Sequence, residues 1–414
     1  MRIPMLFRFS LYGFLKNQRY FEHFLLLAFR EKGVSYFLYG LLIGFREICT
    51  NIFEIPSGAV ADLYGRRRAM IFSFCAYITS FAIFAVSESI LMLFCGMFFF
   101  GLGDAFRTGT HKAMIFDWLR QQGRSDEKTK IYGFTRSWSQ MGSAVSVLIA
   151  GALVFYRGNF TDIFWFSIIP YLFNIINFFG YPAKLDGDRQ NEFSLKAVSH
   201  LLGNALKQSV QFSPLRRLVF EGMGFEGMYK ASKDFLQPIL KNTAVALPIL
   251  IALDESKRTA LLVLGVYFVL FLLASFASRN SHRVSDWRGG DEGAAQFMWW
   301  IDLALFALLI PALWFGWYPA IIALFVGLAL LQNFWRPGLI SRFDAQSTPE
   351  MGATILSIES QSKSLAMIIL APLLGWLVDT VGNFSPVGIV GTCIAVAILL
   401  AYHSELDVNP KHNP

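Results

Sequence analysis

Long apolar segments, separated by short polar connections, dominate the pattern of this chain. An α-helix rises about 1.5 Å per residue, so about 20 consecutive apolar residues cross the hydrocarbon core of a bilayer. The pattern therefore predicts an all-α membrane protein with twelve transmembrane helices. The predicted segments are 9–29, 34–60, 69–87, 90–113, 132–155, 161–183, 216–240, 258–279, 294–315, 318–341, 351–380 and 385–403.

Basic residues in the connections predict the orientation of these segments. Lysine and arginine are concentrated in alternate connections, beginning with Arg66–Arg68, and are few in the connections between them. Cytoplasmic loops carry this excess of positive charge in membrane proteins. We therefore expect both termini in the cytoplasm and the chain in a plasma membrane, the inner membrane of a bacterium.

The longest polar connection divides the chain into two sets of six predicted helices. The predicted domains are an N-terminal bundle over 1–183, a cytoplasmic linker over 184–215 and a C-terminal bundle over 216–414. Within the linker, apolar residues recur at helical spacing between 193 and 212. That spacing predicts an amphipathic helix on the inner membrane surface.

Composition narrows the function classes. Hydrophobic residues make up 55% of the chain and charged residues only 16%, which is outside the range of ordinary soluble domains. The net charge of +7 does not indicate a nucleic-acid partner, because the basic residues lie between apolar segments. The four cysteines lie within apolar segments without CxxC spacing, so the sequence predicts no metal and no cofactor.

One connection carries a recognisable motif. It lies between the second and third predicted helices and runs from Gly58 to Arg68. Gly65 permits a tight turn there, and a carboxylate at Asp62 precedes Arg66 by one helical turn. The stretch resembles the signature loop of the major facilitator superfamily, G-x-x-x-D-x-x-G-R/K-R/K. The matching residues are Gly58, Asp62, Gly65, Arg66 and Arg67, whereas Leu63 stands where the family usually has a basic residue.

The resemblance implies a transporter with two six-helix bundles around a central cavity, lined by helices 1, 4, 7 and 10. It also implies that Asp117, at the end of helix 4, pairs with Arg66 and biases the inner gate. A small-molecule substrate and the lipid bilayer are the expected partners, and we expect a monomer.

Ionisable residues recur in the first helix of every predicted triplet. A charge in hydrocarbon costs roughly 2.5–3.5 kcal/mol on insertion scales, so these side chains should face protein or water. They predict a polar passage through the bundle. The cavity candidates are Arg19, Glu22, Asp104, Arg107, Glu226, Lys230, Lys233 and Arg336.

Several charges have simpler structural interpretations. Glu226, Lys230 and Asp234 are spaced by four residues and could neutralise one another. Adjacent Arg46 and Glu47 should point to different faces, so at least one of them needs an outside partner. Four further groups fit ordinary roles: Glu359 with Lys363 as an i,i+4 pair, Arg136 as an interfacial side chain, His111 and Lys112 as solvated end residues, and Trp299 and Trp300 as interface anchors.

The expected function is secondary active transport by alternating access. The chain has no G-x-x-x-x-G-K-[ST] loop for ATP, so an ion gradient should supply the energy. Asp104, Glu22 and Glu226 are the candidates for proton coupling, although sodium remains an alternative. The cations favour an amphipathic or anionic compound as the solute, and export is an open alternative to import. A transport-inactive scaffold or sensor is the competing hypothesis, and no hydrolase motif indicates an enzyme.

Overall fold

The computed structural model describes residues 4–108, 110–124, 127–186, 213–246, 251–345 and 352–408. Within these ranges all regular secondary structure is helical. The predicted amphipathic helix between 193 and 212 lies outside the described residues.

The N-terminal half contains eight of the helices that we number here. They are α1 (Met5–Lys16), α2 (Leu25–Glu31), α3 (Tyr36–Tyr64), α4 (Arg66–Val86), α5 (Ile90–Arg107), α6 (Thr110–Gln121), α7 (Lys128–Arg157) and α8 (Ile163–Phe179). Short 3₁₀ turns cover Tyr20–His23 and Ala183–Leu185.

The second half continues with nine more helices in the described ranges. They are α9 (Ser213–Gly222), α10 (Met228–Ser232), α11 (Leu236–Ala246), α12 (Glu255–Arg279), α13 (Ser281–Trp287), α14 (Asp291–Phe315), α15 (Tyr318–Ala345), α16 (Gly352–Val381) and α17 (Ser385–Val408). A π-helical turn, Met223–Gly227, joins α9 to α10, and a 3₁₀ turn, Lys233–Phe235, joins α10 to α11.

Seven described helical segments are long and apolar enough to cross a membrane. They are α4, α5 with α6, α7, α12, α14, and the larger parts of α15 and α16. The helices Ile163–Phe179 and Ser385–Ala401 are apolar but shorter. The chain is therefore a multi-pass membrane protein, and the number of twelve spans stays a prediction.

Two predicted spans depart from a regular α-helix. The predicted span 9–29 contains α1, the 3₁₀ turn and α2, because the polar residues after α1 bond to α7 instead of continuing the helix. Asn17 donates to the carbonyl of Ser139 at 2.8 Å, and Gln18 donates to the carbonyl of Gly142 at 3.0 Å. The span 216–240 stays helical but passes through the π-helical turn Met223–Gly227.

The described residues form two compact units. The first draws on described residues within 4–34, 45–186, 244–246 and 251–268, and the second on those within 35–44, 213–243, 269–345 and 352–408. The start of α3 thus groups with the second unit, and the start of α12 groups with the first. The predicted division at 184–215 stays a prediction.

Aromatic packing builds the core of the first unit between α4 and α8. The ring of Tyr171 lies 5.3 Å from the rings of Phe74 and Tyr77 and 5.1 Å from that of Phe81. All four side chains are buried. Edge-to-face ring packing of this kind adds to the energy of burial, so it fixes the relative position of the two helices.

The core of the second unit contains Trp299, which corrects the expectation of an interface anchor. Phe225 stacks on Trp335 with ring centroids 4.2 Å apart and meets Trp299 edge-on at 5.2 Å. Trp299 is completely buried, whereas Trp300 is exposed. Hydropathy could not separate these neighbours, because adjacent residues point to different faces of a helix.

Candidate functional site

The signature motif forms a tight turn between α3 and α4. Gly65 adopts φ +100°, and a Cβ at this position would lie 2.8 Å from Cγ of Asp186. The Asp186 carboxylate accepts from the backbone N–H of Arg67 at 2.9 Å. A carboxylate is favoured at this positive end of α4. No pattern in the sequence indicates Asp186, which lies well over a hundred residues further along the chain.

Asp117 pairs with Arg66, as the family resemblance implied. Its second oxygen accepts from Arg120 at 2.9 Å. The side chains of Arg66 and Asp117 are both mostly buried. This ion pair ties the start of α4 to α6, the helix that follows α5. The side chain of Asp62 lies outside the described ones, and Gly58 has open space beside it.

Asp104 and Arg107 form a closed cluster with Tyr77. One carboxylate oxygen of Asp104 accepts from the Tyr77 hydroxyl at 2.5 Å and from Arg107 Nη2 at 3.0 Å. Arg107 Nε also donates to the Tyr77 oxygen at 3.0 Å. Each charge within this part of α5 therefore has a polar partner supplied by α4 or by its own helix.

Two further pairs lie in the first unit. Arg19 Nη1 and Glu22 Oε2 are 3.5 Å apart at the break after α1. Arg46 Nη2 and Glu47 Oε1 are 2.7 Å apart. The expectation that at least one of them has a further partner stays a prediction. Long flexible side chains can bend toward each other although their Cα–Cβ bonds diverge.

A cavity of about 360 Å³ lies within the first unit. Its walls come from α1, the end of α5, α6 and α7. The lining residues are Phe9, Tyr12, Gly13, Lys16, Asn17, Arg107, His111, Lys112, Ile115, Tyr132, Thr135, Arg136, Ser139, Gln140 and Ser143. Of the sequence candidates, only Arg107 belongs to this lining.

His111 and Arg136 differ from their simplest interpretations. His111 is buried, stacks on Tyr12 with ring centroids 3.7 Å apart, and lies 3.2 Å from the Tyr181 hydroxyl. It is therefore not a solvated end residue. Arg136 is exposed and contributes to the cavity lining. Sequence spacing could not reveal the cavity, because its walls are brought together from distant helices.

The second unit holds a buried cluster of two carboxylates and one ammonium. Lys363 Nζ lies 3.2 Å from Glu226 Oε2 and also pairs with Glu359. Glu226 is completely buried in the π-helical turn, and the other two residues are nearly so. Among the described residues, Lys363 is the one cation within 4.0 Å of either carboxylate. We call these three residues the Glu–Lys–Glu cluster.

Glu226 pairs with Lys363, whereas the sequence left open that Glu226, Lys230 and Asp234 neutralise one another. Asp234 accepts from the Tyr39 hydroxyl at 2.7 Å and lies 3.8 Å from Lys233 Nζ. The i,i+4 pair of Glu359 and Lys363 is confirmed. Lys230 is half-buried, and Arg336 is exposed.

A further group of charged side chains in the second unit packs α9 against α15. Arg342 binds Glu221 with both terminal nitrogens, at 2.7 and 3.0 Å, and both side chains are buried. Arg217 lies 2.9 Å from the same carboxylate. Bidentate geometry makes such a pair strong and directional, so this group has a structural role.

The geometry thus describes a multi-pass membrane protein whose spans contain paired charges. The profile of the Major Facilitator Superfamily matches residues 23–358. The chain belongs to this superfamily of membrane transporters.

Similar proteins agree with this assignment. Two described as uncharacterized transporters come from Buchnera aphidicola subsp. Schizaphis graminum (strain Sg) and subsp. Acyrthosiphon pisum (strain APS). They are 29% identical over 153 residues and 30% identical over 138 residues, respectively. These matches cover 37% and 33% of this chain and the same shares of the relatives, so they span only about a third of each protein.

Solved structures extend the likeness to the whole fold. The nucleoside transporter NupG matches with a TM-score of 0.78 at 10% identity, over 97% of this chain and 99% of that one. A POT family transporter in complex with 5-aminolevulinic acid matches with a TM-score of 0.70 at 14% identity, over 95% of both chains. At these identities the likeness concerns the fold alone.

Proposed function

We propose that the protein is a secondary active transporter that moves a small solute by alternating access and is driven by protons. We further propose that twelve helices form two six-helix bundles around a central cavity. In this arrangement a monomer lies in the bacterial inner membrane with both termini in the cytoplasm. The direction that we propose is export of an amphipathic or anionic compound.

The observation that carries the proposal is the charge balance of the Glu–Lys–Glu cluster. Two buried carboxylates share one buried ammonium, so the fully ionised cluster has an excess negative charge. An uncompensated buried charge is strongly unfavourable. One further positive charge would balance the cluster. We propose that a transported proton supplies this charge, as coupling to a proton gradient needs.

Asp104 and Glu22 are further candidates for coupling in the first unit. Each lies within 4.0 Å of an arginine on the same segment, Arg107 and Arg19 respectively. A movement that separates either pair would leave a carboxylate able to take up a proton. Arg19, Arg107, Lys230, Lys233 and Arg336 would supply positive charge for an anionic solute.

The test is transport by purified protein in proteoliposomes. A panel of metabolites and drugs is offered from either side under an imposed proton gradient or a sodium gradient of equal size. We expect the proton gradient alone to drive net flux of at least one solute. Flux driven only by sodium would contradict proton coupling. A complete lack of flux would favour the transport-inactive scaffold.

A double variant tests the candidates in the first unit. Asp104→Asn with Glu22→Gln should weaken the pH dependence of transport, while Glu88→Gln, a change at an exposed loop residue, should leave it intact. Unchanged pH dependence in the double variant would remove these two residues from the coupling mechanism.

A further inference from the structure

The cavity of the first unit is strongly basic. Four of its fifteen lining residues are lysine or arginine, and none is aspartate or glutamate. The four cations are Lys16, Arg107, Lys112 and Arg136. Walls of one sign concentrate ions of the opposite sign in the space between them. The lining therefore favours a negatively charged occupant.

Among the described residues, only one of these four cations has a carboxylate partner. Arg107 shares its charge with Asp104 at 3.0 Å. Within the described part of the chain, no carboxylate lies within 4.0 Å of Lys16, Lys112 or Arg136. Three cations around one cavity repel one another, and an anion with two or more charges would relieve that repulsion. These charges therefore favour a ligand that carries more than one negative charge.

The cavity walls are held in place before any ligand enters. Asn17 and Gln18 bond to backbone carbonyls of α7, which fixes the end of α1 against that helix. The stacking of Tyr12 on His111 fixes α1 against α6. A preformed site loses less ordering entropy when it binds a ligand.

The cavity size and its neutral groups limit the ligand further. A volume of about 360 Å³ lies at the small end of the range for ligand pockets, so a compact metabolite fits better than a peptide or lipid tail. Thr135, Ser139 and Gln140 add groups that can bond to hydroxyls on the ligand. Tyr12 and Tyr132 offer ring surface beside the cations.

We propose that this cavity binds a small organic anion with two or more negative charges, supplied by carboxylate or phosphate groups. Lys16 and Arg136 contact the anionic groups, and Arg107 links the site to Asp104. The role of the cavity as a substrate site rests on the proposed transport function, but the binding itself does not. Binding and transport are therefore measured separately.

The experiment is isothermal titration calorimetry of the full-length protein in detergent at fixed ionic strength. The probes are citrate, glucose 6-phosphate and, as a neutral control, glucose. We expect at least one of the two anions to bind, and glucose not to bind. Lys16→Gln and Arg136→Gln should each weaken binding by about tenfold or more, the loss typical of one charged hydrogen bond.

Arg157→Gln is the matched control, because it also removes one positive charge. Arg157 is exposed and pairs with Asp162 at 2.7 Å, away from the cavity lining. This variant should bind the anion as the unmodified protein does. If Lys16→Gln is not monodisperse, Arg136→Gln decides the outcome, because that side chain is exposed and its loss should not disturb folding.

Three outcomes would overturn the site. They are binding of neither anion, equal weakening in Arg157→Gln, and binding of anionic lipid in place of both soluble probes. Phosphatidylglycerol micelles serve as the lipid competitor. Binding without transport of the same anion in proteoliposomes would instead contradict the transport function and leave the site intact.

Discussion

Arg66 and Asp117 are the residues for which the family resemblance gave the most specific expectation, and they form the expected ion pair. The side chains are less than one-fifth exposed, so the charges are only partly solvated. Removing one partner leaves the other charge in a poorly hydrated place. The pair should therefore contribute more than an exposed salt bridge does.

Asp117→Asn should lower the thermal unfolding midpoint of the purified protein and change its transport rate. Arg120→Gln removes the other partner of Asp117, but the Arg120 side chain is 70% exposed, and exposed pairs contribute little. It should therefore have almost no effect. Equal effects of both changes, or no effect of Asp117→Asn, would contradict a gating role for the Arg66 pair.

The Glu–Lys–Glu cluster gives a prediction about charge balance. Glu226→Gln leaves one carboxylate with one ammonium, so the protein should keep its stability. Lys363→Met leaves two buried carboxylates without a cation. Loss of one partner from a buried pair costs about 3–5 kcal/mol, so the unfolding midpoint should fall sharply.

The measurement is thermal unfolding in detergent, followed by tryptophan fluorescence. Glu88→Gln, at an exposed site, provides the control for the change from glutamate to glutamine. A larger loss of stability in Glu226→Gln than in Lys363→Met would show that the cluster does not carry the excess negative charge.

The spacing of residues predicted local pairs better than distant ones. Asp104 with Arg107 and Glu359 with Lys363 lie within one helical turn of each other, where spacing is informative. The partner of Glu226 comes from another helix far along the chain, and no periodic pattern records such a contact. The prediction that Trp299 is an interface anchor was wrong for a related reason. Whether a helix face is buried depends on which distant elements pack against it.

At the level of the helices, hydropathy did not predict the departures from regular α-helix inside two of the spans. An average over about 20 residues identifies a span but does not register a turn of π-helix inside it. The π-helical turn Met223–Gly227 carries Glu226, and such turns are frequent at functional sites. The break after α1 carries Arg19 and Glu22 in the same way.

Close backbone packing holds the start of α3 against α16. A Cβ on Gly375 would lie 2.1 Å from the carbonyl oxygen of Tyr36. The Asp379 carboxylate accepts from the backbone N–H groups of Tyr36 and Phe37 at 3.2 and 2.7 Å. These contacts explain why residues 35–44 belong to the second unit.

Gly375→Ala should therefore force α3 away from α16 and lower the thermal unfolding midpoint. Gly265→Ala is the matched control in α12, where an added Cβ meets no atom within 4 Å. That change should be neutral or should stabilise the helix by roughly 0.5–1 kcal/mol. Similar behaviour of the two variants, measured by fluorescence in detergent, would contradict close packing at Gly375.

For the molecule as a whole, the sequence indicated a membrane protein and its family, but it did not indicate the cavity of the first unit. Apolar segment length and the Gly58–Arg68 motif were sufficient for the family, because both are continuous in sequence. The cavity residues Lys112 and Arg136 had ordinary interpretations one at a time, and no pattern in the sequence singled out Lys16. Only the fold brings them together without a carboxylate among them, and sequence periodicity carries no information about that placement.

The central claim is that buried carboxylates couple solute movement to protons, and proton movement during transport tests it most directly. A pH-sensitive dye inside proteoliposomes reports internal pH when a solute found by the transport panel is added. The unmodified protein should change the internal pH, and Glu226→Gln should move the solute by exchange without moving protons. An identical pH change with Glu226→Gln, or solute transport without any pH change in the unmodified protein, would contradict the account.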